Sequence, residues 1–178
     1  MEQSEFVRIP MERIGALIGP KGSIKKELEK KLKVRLLIDS ESGDVEVKGT
    51  GHDAVNAFTA GVIVKAIGRG FSWEKASKLA IEGIIFELID LRELFGKKKE
   101  KKIMQKKARI IGSKGKAREI IEQETGAFVS VYGHTVGLIG SDEAVGKARK
   151  VIDALLEGKR HSTAFKMLEA KEEEEWEL

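Results

Sequence analysis

The chain has 178 residues, 41% of them hydrophobic, enough for one ordinary domain or two small ones. It has no cysteine, which excludes disulfide scaffolds, thiolate metal sites and cysteine nucleophiles, and it has no run near the ~18 apolar residues that span a membrane. The net charge of +4 conceals an asymmetry: residues 97–118 hold eleven basic side chains and one acid, the footprint of a phosphate-backbone partner, whereas 169–178 hold six acids and one lysine.

From the N-terminus, Met1-Glu2-Gln3-Ser4-Glu5 lacks the basic-then-apolar layout of a secretory signal, so a cytoplasmic location is expected. Residues 6–9 alternate like a short strand. Pro10 precedes a helix over 11–18 that stops at Gly19, and helical spacing resumes through Ile24, Leu28 and Leu32. Alternation returns at Val34, Leu36 and Ile38, and Ser40-Glu41-Ser42-Gly43 signals a turn into a second strand at 45–48. Gly49-Thr50-Gly51 closes that strand. A longer helix over 52–67 follows, with Val55, Phe58, Val62 and Ala66 expected on its core face. The order is β-α-α-β-β-α.

The segment 70–83 reads as a linker helix with Ser72 as its N-cap and Trp73, Ala76 and Leu79 at helical spacing. The same order then begins again. A strand is expected over 84–91, a basic helix over 98–111 and a second helix over 116–125 stopped by Gly126. A hairpin spans 127–132 and 135–139 through Gly133-His134, and a last helix over 142–156 is capped at Gly140-Ser141. Ile18-Gly19-Pro20-Lys21-Gly22 recurs 93 residues later as Ile111-Gly112-Ser113-Lys114-Gly115. At that offset Leu17 meets Ile110, Leu28 meets Ile121, and Val34, Leu36 and Ile38 meet Ala127, Val129 and Val131. A five-residue match arises by chance; an apolar register held over some twenty-five positions does not.

Ile-Gly-x-x-Gly between two helices, inside β-α-α-β-β-α, resembles the type I KH domain, present here twice. The expected fold class is therefore α+β, with two tandem type I KH domains joined by a helical linker. The expected domains are 1–69, the linker 70–83, 84–158, and a C-terminal helix and acidic tail over 159–178. More narrowly, Gly158-Lys159-Arg160-His161-Ser162-Thr163, Val131-Tyr132-Gly133-His134-Thr135-Val136 and Phe86-Glu87-Leu88-Ile89-Asp90-Leu91 are similar to the archaeal Partner-of-Nob-one proteins. That resemblance implies a ribosome biogenesis factor that holds the 3′ region of small-subunit ribosomal RNA. It also implies a PIN-domain endonuclease and a ribosome-associated translation factor as partners, with no chemistry or cofactor of its own.

The residue types suit single-stranded RNA. A Gly-x-x-Gly turn lets main chain lie against main chain, and it sits at a helix N-terminus, where unpaired N–H groups and the positive dipole end attract phosphate. The candidate backbone contacts are Gly19, Pro20, Lys21 and Gly22 in one copy and Gly112, Ser113, Lys114 and Gly115 in the other. Pro20 removes one donor, which makes the second copy the stronger expected anchor. In KH domains the loop clamps about four nucleotides, with bases in an apolar groove beside it. Positions matching that groove are Gly15, Ile18, Ile24 and Leu28, and Ala108, Ile111, Ala117 and Ile121; Ile24, Leu28 and Ile121 equally lie at core spacing. Lys25, Arg109, Lys116 and Arg118 flank the loops, and Arg35 matches a base-contacting place whose counterpart, Phe128, cannot donate a hydrogen bond.

Other classes fit less well. A Walker loop needs a different spacing and a hydroxyl where Gly112-Ser113-Lys114-Gly115-Lys116-Ala117 has none. His52, His134 and His161 are isolated from carboxylates at ligand spacing. A helix-turn-helix DNA reader would not be followed by a hairpin and a third helix. The runner-up is a general KH RNA-binding or protein-interaction scaffold, not specific to ribosomal RNA. Glu172 to Glu175 beside Trp176 reads as a disordered tail, and Lys147, Arg149 and Lys150 as a solvated helix face.

Overall fold

Period-two alternation at Val34-Arg35-Leu36 and helical spacing at Ile24-Leu28-Leu32 both become secondary structure. In the computed structural model, which describes residues 4–49 and 54–169, they form a strand and a helix whose apolar sides meet. The chain divides into two compact units, Met1–Phe86 and Glu87–Leu178. The expected Thr50-Gly51 turn, the helix start at His52, and the tail with Glu172 to Glu175 and Trp176 lie outside the described residues.

The first unit runs β1 (Ser4–Arg8), α1 (Met11–Ile18), a tight turn over Pro20–Gly22, α2 (Ser23–Leu32), β2 (Val34–Ile38), β3 (Asp44–Gly49) and α3 (Ala54–Gly68). The strands form an antiparallel sheet in the order β1-β3-β2, with Phe6 opposite Glu46 and Leu36 opposite Val47. Val34, Leu36, Val45 and Val47 are buried on the helix side with Leu17 and Leu28. Each fully buried leucine contributes roughly 2 kcal/mol.

On α3 the buried side differs from the expected one. Val55 and Phe58 are 75% and 61% exposed, and the core is met by Ala57, Ala60, Ile63, Val64, Ala66 and Ile67. The helix is apolar nearly all round, so periodicity alone did not choose a face. Small residues did: a Cβ at Gly61 would lie 3.5 Å from Glu5 Cβ, so β1 and α3 approach closely on that side. The segment expected as a linker packs on α3 within the first unit. It consists of α4 (Trp73–Ala76) and a single turn over Ser77–Ala80, with Phe71, Ala76 and Leu79 buried and Ser72 Oγ accepting from Lys75 N at 3.4 Å.

The second unit repeats the order with two additions. It runs β4 (Ile84–Asp90), α5 (Leu91–Phe95), α6 (Glu100–Ile111), a tight turn over Ser113–Gly115, α7 (Lys116–Thr125), β5 (Phe128–Tyr132), β6 (Thr135–Ser141), α8 (Asp142–Glu157) and α9 (His161–Glu169). Its sheet order is β4-β6-β5. The short α5 lies where sequence periodicity predicted only the approach to the basic helix; Asp90 Oδ1 caps it, accepting from Arg92 N at 2.8 Å and Glu93 N at 3.3 Å. Ser141 caps α8 as expected, accepting from Ala144 N at 3.2 Å. The supposedly solvated face of α8 is tied down: Arg149 pairs with Glu87 and with Asp153.

Candidate nucleic-acid interface

Each loop begins where a glycine stops a helix. Gly19 closes α1 at φ 72°, ψ 174°, and Gly112 closes α6 at φ 73°, ψ 178°. A Cβ at Gly19 would lie 2.7 Å from Ile24 Cγ1, and one at Gly112 would lie 2.6 Å from Ala117 Cβ. Backbone angle and space both demand glycine there. Lys21 (φ 53°, ψ 28°) and Lys114 (φ 54°, ψ 28°) then adopt the left-handed conformation without being glycine, at about 1–2 kcal/mol each. The two loops share one backbone shape although one carries Pro20 and the other Ser113.

The helices that follow, α2 and α7, start at Gly22 and Gly115 with no side-chain cap. Ser23 N and Lys116 N donate to the Pro20 and Ser113 carbonyls, and the positive dipole ends of both helices face the loops. No acid lies in the first turn of α2, whereas Glu119 lies in that of α7. Pro20, Lys21, Ser113, Lys114 and Lys116 are exposed.

Beside each loop, Gly15 and Ala108 are exposed, and Ile18, Ile24 and Ile111 are half-buried, forming a shallow apolar strip. Leu28, Ala117 and Ile121 do not reach it. They are buried, so they support the strip from beneath and offer no contact surface of their own. Arg35 is exposed on edge strand β2, on the sheet face opposite to buried Val34 and Leu36, and Lys25 is half-buried beside Leu36 and Leu37.

Part of the basic footprint is used inside the second unit. The Arg109 guanidinium donates to the Lys159 carbonyl, and His161 Nε2 donates to the Arg109 carbonyl at 2.8 Å. This pair ties the start of α9 to the last turn of α6, so Arg109 is a positioning residue there. Arg118 faces the Val129 carbonyl at 3.5 Å and Glu122 at 3.7 Å. Lys102 and Lys106 sit over the Phe95 ring, with Nζ 5.0 and 5.6 Å from its centroid. Four of the eleven basic side chains between 97 and 118 thus have partners within the unit: Arg109 and Arg118 at carbonyls, Lys102 and Lys106 at the Phe95 ring.

Sequence reasoning passed over two glutamates. Glu29 Oε1 accepts from Leu36 N and Glu122 Oε1 from Val129 N, each at 2.8 Å. They lie at the 93-residue offset, which was the available signal.

Residues 85–173 match the model of the second KH domain of the Partner-of-Nob-one proteins, a eukaryotic-type KH domain (type I), and residues 4–60 match the general KH domain. A KH domain-containing protein of Methanocaldococcus jannaschii is 42% identical over 93% of this chain and 72% of its own length. The chain belongs to the archaeal Partner-of-Nob-one family of two-KH-domain RNA-binding proteins. Dim2p from Pyrococcus horikoshii OT3 shares this fold at 42% identity with a TM-score of 0.88, covering 95% of this chain and 99% of that one. A complex of a/eIF2alpha, aDim2p and rRNA from the same organism contains a chain 41% identical, with a TM-score of 0.89 and coverage of 97% and 96%. A protein of unknown function from Aeropyrum pernix matches at 35% identity, a TM-score of 0.89 and coverage of 96% and 90%. Both family models describe the KH domain, an RNA-binding module.

Proposed function

We propose that this KH protein binds single-stranded RNA through both Gly-x-x-Gly loops and holds the 3′ region of small-subunit ribosomal RNA during maturation. The observation that carries the binding mode is the shared loop geometry: two lysines held left-handed between glycines, each ahead of an uncapped helix start. Phosphates lie over Gly19 to Gly22 and Gly112 to Gly115, and bases lie along Gly15, Ile18 and Ile24, or Ala108 and Ile111, with Arg35 at the edge of the first groove. Lys114, Lys116 and the N–H of Ser113 make the second loop the stronger anchor. The ribosomal target is supported by the Pyrococcus relative found in a complex with rRNA. The same complex supports a translation factor, a/eIF2alpha there, as a protein partner, and family resemblance adds a PIN-domain endonuclease, which leaves cleavage to that partner. Among the described residues no helix is long and apolar enough to cross a membrane, and a cytoplasmic site of action fits the ribosomal role.

The test replaces Pro20, Lys21, Ser113 and Lys114 with aspartate, which repels phosphate while all four side chains point to solvent. In filter binding against a 3′-end ribosomal RNA fragment, the variant loses affinity while its circular dichroism is retained. Unchanged affinity would remove the loop mechanism, and equal wild-type affinity for an unrelated single strand would remove the ribosomal specificity.

A further inference from the structure

Ten large apolar side chains are exposed among the described residues, and Met11 and Met104 are the pair related by the 93-residue repeat. They are 58% and 65% exposed. Each stands on the helix that leads into its loop, on the face that carries the groove: Met11, Gly15 and Ile18 on α1, and Met104, Ala108 and Ile111 on α6. Spacings of four and seven put the three side chains of each set in one line. The sequence of that line, from the loop outward, is isoleucine, a small residue, methionine. The small residue is not imposed by crowding, because a Cβ at Gly15 would meet nothing within 4 Å. It leaves a low place between two larger apolar groups.

Two further contacts mark the outer end of this line. In the first unit, Met11 Cγ would lie 3.9 Å from a Cβ built at Gly43, so the side chain sits beside the turn between β2 and β3. In the second, Met104 lines an open cleft of about 350 Å³ with Ile103, Lys107, His134 and the paired Arg92 and Glu100, 3.1 Å apart. Lys107, on the next turn of α6, brings a cation to the same cleft for a phosphate flanking the stacked base. A thioether is flexible and polarisable and packs well on aromatic faces, and every nucleobase has such a face.

We infer that Met11 and Met104 are base-stacking residues that end the two grooves, roughly 10 Å along the helix from Ile18 and Ile111. They accept an unstacked base of any identity. This rests on the single-stranded RNA reading and extends it to two residues that carry no charge and touch no phosphate.

The experiment uses the full chain and two unrelated twelve-nucleotide single-stranded RNAs, with Met167, 41% exposed on α9, as internal control. Oxidation by dilute peroxide is followed by mass spectrometry with and without RNA. Bound RNA is expected to slow sulfoxide formation about fivefold or more at Met11 and Met104 and to leave Met167 unchanged. Met11→Ala and Met104→Ala are each expected to weaken binding about 3- to 10-fold, with the salt dependence and melting temperature unchanged. If RNA is bound and both methionines oxidise as fast as in its absence, or if the alanine variants bind like wild type, the stacking assignment is overturned and the loop mechanism stands. If the wild-type chain binds neither RNA, both fall together. A loss of affinity accompanied by a shallower salt slope also overturns it, because that signature belongs to phosphate contacts.

Discussion

Glu29 and Leu36 are joined by a hydrogen bond that makes a helix side chain substitute for a missing strand: Glu29 Oε1 accepts from Leu36 N at 2.8 Å. β2 is an edge of its sheet, so that N–H points away from β3 and has no ladder partner. The second unit repeats the device with Glu122 and Val129, again at 2.8 Å. There Arg118, one turn earlier on α7, faces the carbonyl of the same residue. Each unit thus closes one strand edge with its own helix, beside the groove.

Removing that carboxylate leaves a part-buried amide without its acceptor. Glu29→Ala and Glu122→Ala are each expected to cost about 1–2 kcal/mol in denaturant unfolding. Hydrogen exchange at Leu36 or Val129 should accelerate in the corresponding variant. A stability equal to wild type would show that water replaces the glutamate at no cost.

The two glycines of one loop carry different burdens. At Gly115 a Cβ meets nothing within 4 Å, so Gly115→Ala bears only the left-handed backbone cost of about 1–2 kcal/mol. At Gly112 a Cβ also lies 2.8 Å from Ala117 N, a backbone atom that cannot move aside. Gly112→Ala is expected to lose about 3 kcal/mol or more. Equal melting temperatures for the two variants would contradict the close approach of α6 and α7.

Salt separates phosphate contacts from the rest of the interface. For a single strand, log K falls with log salt at about −0.7 per phosphate neutralised. Lys114→Ala is therefore expected to make the slope shallower by about 0.7, and Lys21→Ala likewise. Arg109→Ala should leave the slope unchanged and instead loosen α9, because its guanidinium serves the Lys159 carbonyl. Titrating affinity at several salt concentrations checks all three variants.

Acid reports on the turn between β2 and β3. Hydrogen bonds from Arg8 and Ser42 hold the Asp44 carboxyl down at about 2, and the Glu41 amide and Ser42 lower that of Asp39. A carboxyl depressed on folding adds stability above its unfolded value, near 4, and loses that contribution as pH falls through its folded value. Asp44 is exposed, so the change is local. NMR titration should place its midpoint near 2, and Arg8→Ala should raise it toward the ordinary carboxylate range.

Much of the fold was legible along the chain. The bounds of α1, α2 and α7 follow from local apolar spacing and from glycines that stop or start a turn, and the 93-residue register showed that the pattern occurs twice. The four residues of each loop were legible for the same reason: Gly-x-x-Gly states a backbone requirement, and a backbone requirement is local. The short α5 was not, because five residues carry too little periodicity to separate them from the strand before and the helix after.

What the amino-acid order determined by itself was everything set within one or two turns: the element order, the glycine corners and the lysines between them. Tertiary structure decided which groups of similar chemistry face outward. It buried Leu28 and Ile121 while leaving Met11 and Met104 in solvent, turned Val55 and Phe58 away from the sheet, and brought the Lys159 carbonyl to Arg109. The reason is physical. A side chain's fate depends on which distant segment packs against it, and the start of α9 that meets the end of α6 lies some fifty residues further along the chain.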